Sequence, residues 1–68
     1  MNLKEFLKGT RNKYHIEITQ GNNNNVVFSG TYKELKESDF FKENAGEIVT
    51  SWDAVEMDDN TIDIGIMI

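Results

Sequence analysis

Ile62, Ile64, Ile66 and Ile68 stand at every second position of the last stretch of the chain, with Asp63, Gly65 and Met67 between them. A period of two predicts a β-strand over Thr61 to Ile68, one face covered and the other toward water. The same period runs through Tyr14, Ile16 and Ile18, with His15, Glu17 and Thr19 on the opposite face, and predicts an earlier strand. Gly21 and the run Asn22 to Asn25 tolerate positive φ and punctuate the chain there. Val26-Val27-Phe28-Ser29 then reads as the return strand of a hairpin whose loop is longer than the two-residue types. From Glu47 to Met57 the apolar residues Ile48, Val49, Trp52 and Val55 predict a third strand, turned into the last one at Asp58-Asp59-Asn60.

Three short stretches carry helical spacing instead. Leu3, Phe6 and Leu7 recur at three and four residues and share one helical face. Asn2 precedes them, with Glu5 three residues on as a variant capping box, and Gly9 is suited to end the turn. Thr31 and Glu34 repeat the capping-box spacing ahead of Leu35, and Tyr32 and Leu35 share a face. The apolar period fails at Ser38-Asp39. Ser38 is itself a good N-cap, so a break is expected there, followed by a second short turn carrying Phe40 and Phe41 and ending at Gly46.

The order is thus α-β-β-α-β-β: two hairpins flanking a helical connection. The simplest arrangement is a small α+β domain spanning 1–68, a four-stranded antiparallel sheet with short helices on one face. Its expected core is Leu3, Phe6, Leu7, Ile16, Ile18, Phe28, Leu35, Phe40 or Phe41, Val49, Ile62, Ile64 and Ile66. The order of the strands is left open by the pattern.

Length and composition narrow the chemistry. Sixty-eight residues leave no room for two lobes, a doubly wound nucleotide fold or a barrel. Without cysteine there is no disulfide framework, thiolate metal site or thiol nucleophile. No apolar run approaches the roughly 20 residues of a membrane span, and the amphipathic start does not read as a signal peptide. The net charge of −5 is segregated along the chain. Residues 1–15 carry Lys4, Lys8, Arg11 and Lys13 against Glu5, a net of +3, whereas residues 34–68 carry ten acids against Lys36 and Lys42, a net of −8. Acidity argues against binding a phosphate backbone, and the four bases of the N-terminal corner are too few to reverse that.

Each constellation that suggests chemistry has a plainer explanation. His15 with Glu17 supplies two ligands where zinc takes three or four. Asp53, Glu56, Asp58, Asp59, Asn60 and Asp63 are rich in oxygen but lack the spacing and central glycine of a calcium loop. Ser29 falls beside His15 only if the hairpin register allows it, with no elbow or oxyanion loop. No phosphate-cradling glycine loop is present. No catalytic residue and no cofactor or metal is expected.

Trp52 is the informative aromatic. Period two puts Val49, Ser51, Asp53 and Val55 on one face and Ile48, Thr50, Trp52 and Ala54 on the other. Either Trp52 is core and the valines are exposed, or the reverse, unless a bulge reconciles them. An exposed Trp52 beside acids is a natural interface anchor.

The chain resembles the small prophage and mobile-element proteins of Gram-positive bacteria. The resemblance rests on the Met-x-Leu-Lys-x-Phe-Leu start at Met1 to Leu7, the step Phe28-Ser29-Gly30, and the closing strand pair from Val49 to Ile68. It implies no activity and transfers no site residue. The expectation is therefore an acidic cytoplasmic protein that acts without catalysis by binding a protein partner. Trp52, Asp53, Glu56, Asp58, Asp59 and Asp63 are its candidate binding residues, with neither nucleic acid nor membrane as partner. Two alternatives stand beside it. One is an acidic nucleic-acid mimic that blocks a DNA-binding enzyme such as a CRISPR nuclease. The other is self-association through Thr61 to Ile68 as an exposed edge strand.

Overall fold

The computed structural model describes residues 1–21, 25–57 and 60–68. Helix α1 (Leu3–Leu7) is followed by strands β1 (His15–Gln20) and β2 (Asn25–Thr31), helices α2 (Tyr32–Glu37) and α3 (Asp39–Asn44), and strands β3 (Ser51–Glu56) and β4 (Ile62–Met67). The asparagine loop 22–24 and the turn residues Asp58 and Asp59 lie outside the described residues.

The caps form as the local sequence dictates. The Glu5 backbone N–H donates to Asn2 Oδ1 at 2.8 Å, and the Asn2 N–H donates back to Glu5 Oε1 at 3.2 Å. Gly9 follows α1 with φ +86°, the left-handed conformation that ends such a turn. Ser38 accepts from the Phe41 N–H at 3.1 Å and donates to the Leu35 carbonyl at 2.6 Å, so one hydroxyl closes α2 and opens α3.

At the start of α2 the Thr31 N–H and hydroxyl donate to Glu34 Oε1 at 2.8 and 3.1 Å. These two bonds, and then the nearby His15, hold the Glu34 carboxyl below the usual glutamate range. A carboxyl whose pKa is lower folded than unfolded stabilises the fold above its ordinary range, and loses that contribution as falling pH protonates it in the folded state. Glu34→Gln is therefore expected to be less stable than the parent at about pH 7, with the gap narrowing as the pH falls below the ordinary glutamate range. Urea denaturation over that range checks this, and a gap that does not narrow in acid would contradict it.

The sheet is mixed, with strand order β2-β1-β4-β3. β1 with β2 and β3 with β4 are antiparallel hairpins, but β1 and β4 run parallel, Ile16 opposite Ile64 and Ile18 opposite Ile66. This corrects the fully antiparallel expectation. Alternation reports which face a side chain takes and says nothing of strand direction. The isoleucine-rich β4 takes the interior position, and the acidic β3 is left at the edge, where its charges stay hydrated. The expectation that Thr61 to Ile68 forms an exposed edge is corrected with it, because β4 has a neighbour on each side.

The register aligns Ile16, Ile18, Phe28, Ile64 and Ile66 on one face, and the helices cover that face. Leu3, Leu7, Ile16, Ile18, Leu35, Ile66 and Tyr32 are buried there. Phe6, Phe28, Phe40, Phe41, Val49 and Ile64 pack around them half-buried. Phe28 stacks on Phe40, ring centroids 6.3 Å apart, which fastens α3 over the first hairpin. Among the described residues, no helix is long and apolar enough to cross a membrane.

Candidate functional site

Strand β3 carries three of the six expected binding residues, Trp52, Asp53 and Glu56, and all six of its own residues are exposed. Its register with β4 is regular: Trp52 faces Ile66, Asp53 faces Gly65, Ala54 faces Ile64, and Glu56 faces Ile62. Directly opposed residues share a sheet face. Trp52, Ala54 and Glu56 therefore lie on the helix-covered side, at its uncovered rim, and Ser51, Asp53 and Val55 lie on the open side.

Trp52 answers the two-way expectation with a third position. Its ring rests on Phe6 of α1, with centroids 5.3 Å apart at an interplanar angle of 55°, yet 58% of the residue is exposed. It stands on the core side of the sheet but beyond the last helix that could cover it. Among the described residues, four of the six exposed large apolar ones, Ile48, Trp52, Val55 and Met57, fall between positions 48 and 57. This concentration marks the β3 end of the sheet as the apolar part of the surface. Residues 47–49 run beside the N-terminus rather than extending β3: Ile48 bridges to Asn2, and the Val49 N–H donates to the Met1 carbonyl at 3.0 Å. Beside Ala54, whose methyl fills little space, lies a hollow of about 350 Å³ lined also by Tyr14, Glu56, Thr61 and Ile62.

The acids do not gather on one surface. Glu56 is on the helix side, whereas Asp53 and Asp63 are on the open side, where Glu17 also stands. The Asp53 carboxylate leans over Gly65, whose missing Cβ would lie 2.7 Å from Asp53 Oδ1. Asp63 is engaged: His15 Nδ1 donates to its Oδ1 at 2.9 Å across the parallel β1–β4 pair. Asp58 and Asp59 lie outside the described residues.

On the other side of the same imidazole, Nε2 is 3.4 Å from Ser29 Oγ. Ser29, His15 and Asp63 thus follow one another across three strands in the order of a hydrolytic triad. The His15 and Asp63 side chains are 43% and 42% exposed on the uncovered face. A pair so hydrated contributes roughly 0–1 kcal/mol, as a surface ion pair does. It ties β2, β1 and β4 together. The Ser29–His15 approach was legible as a consequence of hairpin register. The Asp63 contact was not, because it depends on the parallel pairing. Phe6 as the support of Trp52 was likewise hidden, since its spacing marks it simply as core.

Comparison with protein-family models, with curated proteins and with solved structures gives no match.

Proposed function

We propose that this chain is a cytoplasmic, non-enzymatic protein-binding module of phage or mobile-element type, and that it binds through β3 with Trp52 as the anchor. The observation that carries the reading is Trp52 itself, 58% exposed on a regular edge strand and yet held in place by the ring of Phe6. A large aromatic already supported from below loses little conformational freedom on binding, which is the property of an interface hot spot. The acids on either side of β3 disfavour a phosphate backbone and leave a protein as the partner.

The test is capture from nuclease-treated lysate at low and high salt, with wild type beside Trp52→Ala. Capture should persist in salt and fall at least about tenfold in the variant, as for a hot-spot truncation. A captured DNA-binding enzyme, released by salt and by the change of Asp53 and Asp63 to Asn but indifferent to Trp52, would replace this reading with nucleic-acid mimicry.

A further inference from the structure

We propose that the free edge of β3 receives an extended segment of a protein partner, bearing lysine or arginine, as a fifth strand of the sheet. The proposal rests on the protein-binding reading above and adds the backbone geometry and charge of the partner.

Backbone alternation identifies the available groups. The Met57 N–H donates inward to the Thr61 carbonyl at 2.8 Å. In an antiparallel ladder successive residues direct their N–H and C=O groups to opposite sides. Val55, Asp53 and Ser51 therefore bond to β4, and the N–H and C=O groups of Trp52, Ala54 and Glu56 point away from the sheet. The opposite edge is less suitable as a template. The register of β2 with β1 shifts between Ile18 and Thr19, and β2 runs at Thr31 directly into the cap of α2. Such an irregularity turns an edge away from pairing. β3 has six consecutive pairs without a shift.

Natural edges are commonly guarded by proline or by lysine. β3 has neither, and its charges are Asp53 and Glu56. These repel another acidic strand and attract a basic one. A second copy of this chain cannot supply that strand, because β1, β2, β3 and β4 contain no lysine or arginine. The flanks fit the same occupant. Asp53 meets a base on the open side and Glu56 meets one on the helix side, with an apolar side chain between them directed at the hollow beside Ala54.

The probe is the blocked hexapeptide Lys-Val-Leu-Arg-Val-Thr. Placed antiparallel to β3, it sets Lys against Glu56, Leu against Ala54 and Arg against Asp53. It is titrated into the isotope-labelled full chain and followed by backbone amide shifts. Saturable shifts centred on Trp52, Ala54 and Glu56 are expected. Binding should fall at least about tenfold when Glu replaces Lys and Arg in the peptide, and equally when Leu and the second Val are N-methylated.

Ala54→Pro should have the same effect while the chain stays folded, because it removes an outward N–H that serves no native ladder bond. If the proline variant fails to fold, the N-methylated peptide makes the same test on the unaltered chain. No saturable shift at about millimolar peptide would overturn the proposal. So would equal binding of the acidic peptide, shifts on β2 or the helices, or a free protein that sediments as a dimer joined at β3. Trp52-dependent capture that survives Ala54→Pro would end strand addition and leave the protein-binding reading standing. Loss of that capture's dependence on Trp52 would end the reading itself.

Discussion

Leu35→Ala is expected to cost ~2–5 kcal/mol of folding free energy, the range for a fully buried leucine truncated in a core that collapses only partly. Leu35 is 0% exposed and lies on α2, whose six residues cannot hold a helix alone. The helix persists because its first turn is capped by Thr31 and its apolar side joins Ile16, Ile18 and Ile66 in one buried cluster. A chain of this size has roughly 3–10 kcal/mol in total. The urea midpoint should therefore fall by between about a fifth and nearly the whole of its value, with little change of slope. Val55→Ala, at a residue 57% exposed, should stay within about 0.5 kcal/mol of the parent. A loss below about 1 kcal/mol at Leu35 would mean that α2 is not packed on the sheet as described.

Amide exchange along β3 should alternate, and the contrast should be large. The N–H groups of Asp53, Val55 and Met57 are committed to β4 and the segment that leads into it, Met57 donating at 2.8 Å to Thr61. Those of Trp52, Ala54 and Glu56 face outward at the edge. Exchange of a bonded amide requires local opening, whereas an unpaired surface amide exchanges with almost no barrier. A difference of only 1.4 kcal/mol in opening free energy is tenfold in rate. At least about tenfold, and on the order of hundredfold away from the frayed strand ends, is expected between neighbours. Uniform protection along β3 in the free protein would mean that its outer edge is already occupied.

Much of the local structure was legible because its causes are local. Asn2 with Glu5, Thr31 with Glu34, and Ser38 between two helices all act within four residues, and each cap forms where its spacing places it. Ile62 to Ile68 announced a strand and its faces correctly. They did not announce that β4 is interior or that it runs parallel to β1, since neither property leaves a mark on alternation. Everything that depends on that pairing was hidden with it: the His15–Asp63 contact, 48 residues apart in sequence, and the identity of β3 as the edge. Asp63 was read as one of the candidate binding acids, and its carboxylate is held by His15. Trp52 could not be assigned to core or surface from period two, because it takes a core-side position on the edge strand, where the helical layer ends. The apolar residues around position 48 suggested strand from Glu47 onward, but Ile48 is drawn into a single bridge with Asn2, and regular pairing starts at Ser51.

The central claim, that this protein binds through the outer edge of β3, is tested most directly by amide exchange with a partner strand in place. The basic hexapeptide, or the partner segment that capture identifies, is added to saturation and exchange is compared residue by residue with the free chain. Protection gained at Trp52, Ala54 and Glu56, with Asp53 and Val55 unchanged, is the predicted result. Protection gained along β2 or on the helices, with the three outward amides still exchanging freely, would contradict it.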